Sequence, residues 1–165
     1  MSTSGEKNLS PDRAREIAEE CYGEVLAYCR RHAPAGHEPA DLAQETFLRF
    51  VRARGYADRG RPIAYLMRIA RSVCVDASRS KRLETVTLDF DLADQARSER
   101  ELELDAALSK LPEQLREAVE LRYGSELRMG EVAQALGISR FSARRRINTA
   151  LRMLEKELGE GERDA

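Results

Sequence analysis

Two groups of arginines are spaced for contact with a polyanion. Read at helical period, Arg68, Arg71, Ser72, Arg79 and Arg82 fall on one face of the stretch Ile63 to Arg82, and Leu66, Ile69, Ala70, Val73 and Ala77 fall on the other. The pattern recurs from Arg140 to Leu158. There Phe141, Ser142, Arg145, Thr149 and Arg152 share a face, with Arg146 and Asn148 beside them and Arg144 at one flank, opposite Ala143, Ile147, Ala150, Leu151 and Leu154. A guanidinium is always charged and presents a planar fork of donors, which suits phosphate oxygens and guanine edges; Asn suits adenine. The first face taken alone equally suits a solvated amphipathic helix, and its surroundings decide between the two. A third set, Cys21, Cys29, His32 and His37, is of ligand type, with Cys29 and His32 one helical turn apart. Cys21 and Cys29 also fall on an apolar stripe, where a buried free thiol is ordinary. No metal and no other cofactor is therefore expected. No Ser-His-Asp arrangement, phosphate loop or catalytic carboxylate pair is legible, and no enzymatic activity is expected.

The elements that must position these residues are helical. The chain of 165 residues is 42% hydrophobic and 35% charged, rich in Ala, Leu, Glu and Arg, with its five Pro and ten Gly mostly at breaks. Strand-like alternation is scarce, so the fold class is all-α. Ser10-Pro11 reads as a helix start, and the helix runs to about His32 with Ile17, Cys21, Val25, Tyr28 and Cys29 inward. After a Pro/Gly loop, a second helix spans about Pro39 to Arg54. Ala43, Phe47, Phe50 and Val51 form its expected core stripe, and Asp41, Gln44, Glu45, Arg49 and Arg52 its polar face. The loop Gly55 to Arg61 exposes Arg59 and Arg61 ahead of the arginine-faced third helix.

Residues 83–105 read as an acidic, flexible linker that turns helical near Ser98. Residues 106–158 then hold a helix pair broken at Lys110-Leu111-Pro112 and ended by Gly124, a short helix Met129 to Leu136, the turn Gly137-Ile138-Ser139, and the helix from Arg140. Short helix, Gly-led turn and longer helix make a helix-turn-helix, whose second helix enters the major groove by its N-terminal half. Two small helical domains, 10–82 and 106–158, are thus expected, between a disordered start (1–9) and a short tail (159–165).

Charge follows the same division. The net charge is −1, yet residues 10–82 carry 14 Lys/Arg against 10 Asp/Glu, residues 83–105 carry 2 against 8, and residues 106–158 carry 10 against 7. Two basic blocks flank an acidic connector, and a nucleic-acid footprint is local rather than global. Met1 to Ser10 is polar and no run reaches the roughly 20 apolar residues of a membrane span. A cytoplasmic protein without membrane insertion is expected. Three cysteines show no disulfide framework.

The order of motifs resembles the sigma-70 family of bacterial transcription initiation factors, in its compact extracytoplasmic-function (ECF) group. Three stretches carry the likeness: Asp41-Leu42-Ala43-Gln44-Glu45-Thr46-Phe47; Tyr65-Leu66-Met67-Arg68-Ile69-Ala70-Arg71 through Val75-Asp76; and Leu111-Pro112-Glu113-Gln114-Leu115-Arg116-Glu117 followed by Glu131-Val132-Ala133 and Leu136-Gly137-Ile138-Ser139. The resemblance implies roles. Asp41, Gln44, Glu45, Arg49 and Arg52 would dock on core RNA polymerase, at the clamp helices of its largest subunit, with a further contact to its flap. Arg59, Arg61, Tyr65, Arg68, Arg71, Ser72, Arg79 and Arg82 would meet the −10 promoter element, with the Gly55–Arg61 loop helping to hold a flipped base. Arg140, Phe141, Ser142, Arg144, Arg145, Arg146, Asn148 and Thr149 would read the −35 element. An anti-sigma protein is a further implied partner, and the acidic linker would follow the nascent RNA path. Tyr65 stands where the family usually has Trp and Ser72 where it has Asn. Phe141 to Arg146 replaces the usual Gly-Thr-Val-Lys-Ser-Arg, which implies a different −35 readout. The competing reading is a helix-turn-helix regulator that binds promoter DNA without polymerase; the Asp41–Phe47 face argues against it.

Overall fold

The computed structural model describes residues 9–53, 56, 61–80 and 98–161. Arg59, Arg82, most of the expected linker and both chain ends lie outside the described residues. The chain divides into two compact units, Met1–Leu88 and Asp89–Ala165, and the described residues form helices and connections without strands.

The first unit is three helices, α1 (Pro11–His32), α2 (Pro39–Arg52) and α3 (Ile63–Ser80), each packed on the other two. Local chemistry sets the start of α1: the Ser10 hydroxyl accepts from the Arg13 amide at 3.2 Å, and Pro11 follows where no amide partner is needed. Ile17, Cys21, Val25, Tyr28 and Cys29 are buried, as their spacing predicts. From α3, Leu66, Ala70, Val73 and Ala77 meet them, joined by Met67 and Cys74, which the sequence reading left out of the stripe.

The stripe of α2 needs correction. Val51, expected in the core, is 62% exposed, whereas Leu42 and Thr46 are buried with Ala43 and Phe50. Thr46 tolerates burial because its hydroxyl donates to the Leu42 carbonyl one turn back, at 2.8 Å. Leu42, Ala43, Thr46 and Phe50 then make a continuous stripe, and Val51, a further 100° round the helix, faces water.

The second unit is organised around its last helix. The helices α4 (Glu99–Ser109), α5 (Glu113–Val119), α6 (Met129–Leu136) and α7 (Arg140–Gly161) follow in order, and α4, α5 and α6 all pack on α7. α4 opens with a full capping box: Ser98 Oγ accepts from the Glu101 amide at 3.3 Å, and Glu101 Oε2 accepts from the Ser98 amide at 2.8 Å. The expected domain start at Ala106 therefore falls inside a helix. Ala107, Leu111, Val119, Ala150 and Leu154 form one buried cluster, with Leu108 and Leu115 against it. α5 widens into a π-helical turn, Glu120–Gly124, that places Glu126 at φ 54° before the chain enters α6.

Candidate nucleic-acid interface

The turn between α6 and α7 is fixed by three side-chain choices. Gly137 sits at φ 66°, ψ 33°, a left-handed conformation that disfavours any Cβ. There it closes a Schellman motif, the Ile138 amide donating to the Ala133 carbonyl at 3.0 Å and the Gly137 amide to that of Gln134 at 3.2 Å. Ser139 Oγ then accepts from the Ser142 amide at 3.1 Å and starts α7. Glu131 accepts from the Arg128 amide at 2.7 Å, the return half of a capping box; arginine has no acceptor to complete the other half.

α7 so positioned opposes two faces. Ala143, Ile147, Ala150 and Leu154 are buried. At i, i+4, i+7 and i+11 round the far side stand Phe141, Arg145, Asn148 and Arg152, all exposed, with Arg144 exposed on one flank and Ser142, Arg146 and Thr149 half-buried on the other. Ser142, Arg145, Arg146 and Thr149 border a shallow hollow of about 310 Å³ against Leu115 of α5. The structure thus brings the −35 candidates together, with one qualification. The Arg140 guanidinium lies back over α6, where Nη2 would stand 3.3 Å from a Cβ added at Gly130. Glycine at this helical position gives Arg140 its seat.

In the first unit, Tyr65, Arg68 and Ser72 converge with Arg49, Ala53 and Ile69 on a hollow of about 360 Å³. Arg79 is exposed further along α3, Arg71 is half-buried, and Arg61 is exposed just before the helix. Asp76 is the single acid of α3, and it is held by Arg49 Nη1 at 2.9 Å, while Arg49 Nε bonds Glu45 at 3.0 Å. The hydrogen bond it donates to Asp76, and then that to Glu45, hold the guanidinium even more firmly charged than a free arginine. This clamp ties α2 to α3 and offsets the one negative charge beside the arginine face. Glu45 and Arg49 are thereby engaged within the fold, whereas Asp41, Gln44 and Arg52 point into solvent. Two residues that the sequence reading missed share their face: Leu48, 41% exposed, and Val51. Their signal was available, since both are apolar yet lie opposite Leu42, Ala43, Thr46 and Phe50. Tyr56 was also missed. It packs edge-on to Phe50 at 4.9 Å and tilted on Tyr65 at 5.0 Å, joining a residue of α2 to one of α3. An aromatic in a Gly-flanked basic loop was its only mark.

The Cys/His set does not assemble. Among the described residues no group of three or more His, Cys, Asp or Glu is placed to hold a metal. His32 stacks on Tyr28 at 4.3 Å between centroids, and Cys29 is fully buried beside Cys74 and Thr46. Cys74 hydrogen-bonds Cys29, and this bond and then burial push its thiol up, against ionisation. Among the described residues no helix is long and apolar enough to cross a membrane.

A helix-turn-helix with an arginine-bearing outer face, following a three-helix unit with a second basic face, defines a two-unit DNA-binding protein. Comparison with known proteins narrows the class. The profile of Sigma-70 region 2 matches residues 17–84, and that of Sigma-70, region 4 matches residues 101–154. The chain is 29% identical over 148 residues to the RNA polymerase sigma-E factor of Streptomyces avermitilis, covering 86% of this chain and 82% of that protein. It is 26% identical over 173 residues to the ECF RNA polymerase sigma factor SigW of Bacillus subtilis, covering 92% of each. In structure it is similar to the Bartonella quintana sigma factor RpoE, solved with the anti-sigma factor NepR (TM-score 0.68, 19% identity, 91% of this chain and 98% of that one). It is also similar to CnrH, solved with the cytosolic domain of CnrY (TM-score 0.63, 25% identity, 92% and 90%). The chain belongs to the sigma-70 family, in its ECF group. It is a transcription initiation factor that binds core RNA polymerase and takes it to specific promoters.

Proposed function

We propose that the two units divide this task among three surfaces. In 10–82, the outer face of α2 docks on the polymerase clamp helices, with Leu48 and Val51 as an apolar centre and Asp41, Gln44 and Arg52 as a polar rim. Arg49 and Glu45 act there by bracing α2 against α3. The hollow at Tyr65, Arg68 and Ser72, with Arg61, Arg71 and Arg79 about it, takes the −10 element and a base extruded from its melted strand; the sequence adds Arg59 and Arg82 to this surface. In the unit that ends with α7, the face centred on Arg145 reads the −35 element through Phe141, Ser142, Arg144, Arg145, Arg146, Asn148 and Thr149, with Arg140 at its edge, while the unit contacts the polymerase flap. The protein works without a cofactor or catalysis of its own, in the cytoplasm, and an anti-sigma protein holds it inactive, in keeping with the anti-sigma factor NepR bound to RpoE. One observation carries this reading: α7 sets a fully buried stripe against an exposed pole of Phe141, Arg145, Asn148 and Arg152 at the position of a recognition helix.

The test is transcription by bacterial core polymerase plus the purified protein on a library of random promoter fragments. Transcripts that share two spaced upstream motifs are the expected result. DNA binding without stimulation would instead make the protein a helix-turn-helix regulator that ignores polymerase.

A further inference from the structure

The arginines of α7 explain attraction to DNA but not what its most conspicuous residue contributes to base selection. Phe141 is the most exposed large apolar side chain among the described residues, at 76%. A single exposed phenylalanine is unremarkable on most of a protein surface. Its place here is not. It is the second residue of α7, in the first turn, where a recognition helix meets base edges. It shares the solvent pole with Arg145 and Asn148 at i+4 and i+7, opposite the buried Ala143 and Ile147. The turn before it is held by Gly137 and by the Ser139 cap, so the ring projects from a fixed backbone.

The ring can neither donate nor accept a conventional hydrogen bond. In the major groove only one base edge offers an apolar partner, the C5-methyl of thymine. Against guanine, cytosine or adenine the phenyl would cover polar atoms and return nothing, a penalty that itself discriminates. The adjacent guanidiniums of Arg144 and Arg145 supply the attraction that brings a water-exposed phenyl into the groove.

We propose that Phe141 is a specificity residue of this protein, selecting thymine in the upstream promoter element by packing its ring on the C5-methyl. This rests on the reading of α7 as the −35 recognition helix and adds to it the base that one position demands.

The test uses the full chain assembled with core polymerase and the promoter fragments which that holoenzyme selects from a random library. Each thymine of the upstream element is replaced in turn by deoxyuridine, which removes only the methyl group. Wild-type, Phe141→Ala and Arg145→Ala holoenzymes are compared on every fragment. The expected result is one or two thymines whose replacement weakens wild-type binding about fourfold, the worth of one methyl-sized group withdrawn from water. Phe141→Ala should weaken binding to the all-thymine fragment to a similar degree and then be indifferent to deoxyuridine. Because Phe141 is exposed, its removal leaves the core of the unit intact. Deoxyuridine effects that persist in Phe141→Ala, an upstream element in which no thymine methyl matters, or one without A·T pairs overturns the inference, and in those cases a loss with Arg145→Ala still upholds the recognition helix. Binding that survives both substitutions unchanged overturns the inference and the recognition helix together.

Discussion

Gly137 shows how a single residue's conformation reaches function. Its left-handed backbone aims α7, and a Cβ added there meets no atom within 4 Å. The cost of Gly137→Ala is therefore conformational rather than steric, about 1 kcal/mol. Chemical denaturation should show that loss, and an unchanged midpoint would mean that the turn relaxes freely. Cys21 gives a pH-dependent counterpart. Burial, helped by Glu24 and Glu20, pushes its thiol up to about 11 from 9.0. The fold thus binds the thiol proton more tightly than the unfolded chain does. The stabilisation is fully present below pH 9 and is lost as pH rises from 9 through about 11, by about 3 kcal/mol. Denaturation curves at pH 7 and pH 10.5 should differ less for Cys21→Ala than for the wild type. An equal alkaline loss in both would show that other groups are responsible.

The outer face of α2 is an element-scale feature, since the rigid helix presents Asp41, Gln44, Leu48, Val51 and Arg52 as one surface. Leu48→Asp, or Asp41→Ala with Gln44→Ala, should weaken core-polymerase binding by about 1–2 kcal/mol, roughly five- to thirtyfold, at an unchanged melting temperature. Retained affinity would move the docking surface elsewhere, and a fall in melting temperature would show that the face is structural. The helix ends were legible in advance because caps are local chemistry: Ser10, Ser98, Gly137 and Ser139 all do what their types predict. The stripe of α2 was misread because hydropathy ranks Val51 above Thr46 and does not register that a threonine bonded to its own helix can be buried. The π-helical turn at Glu120–Gly124 has no residue type to announce it. The Arg49–Asp76 clamp joins positions on separate helices, so nothing local marks it. Of the sites, the two arginine faces were legible as helical periods, while the apolar partners on them, Leu48 and Val51, were read as core or passed over.

At the scale of the whole molecule, a chain of net charge −1 must bind a polyanion through its distribution of charge. The excess of acids, 8 Asp/Glu against 2 Lys/Arg, falls in residues 83–105, between the two arginine-bearing helices in sequence, and Arg49 offsets Asp76 on α3. Binding should therefore weaken with salt as counterions return to the DNA, at about 0.9 in log affinity per log salt for each phosphate neutralised. Two neighbouring arginines should answer differently. Arg144 stands on the flank of α7 and Arg145 on its exposed pole; with α7 in a major groove, as proposed, the first would meet the wall and the second the floor. Arg144→Ala should flatten the holoenzyme's salt slope by about 1 and weaken all promoters alike. Arg145→Ala should change the slope less and lower affinity by about 1–3 kcal/mol only where the base beneath it is the preferred one. The polymerase's own phosphate contacts are common to every holoenzyme and cancel in the difference. If both substitutions flatten the slope equally and neither changes promoter preference, both arginines are phosphate contacts and base readout by α7 falls to Asn148 and its neighbours.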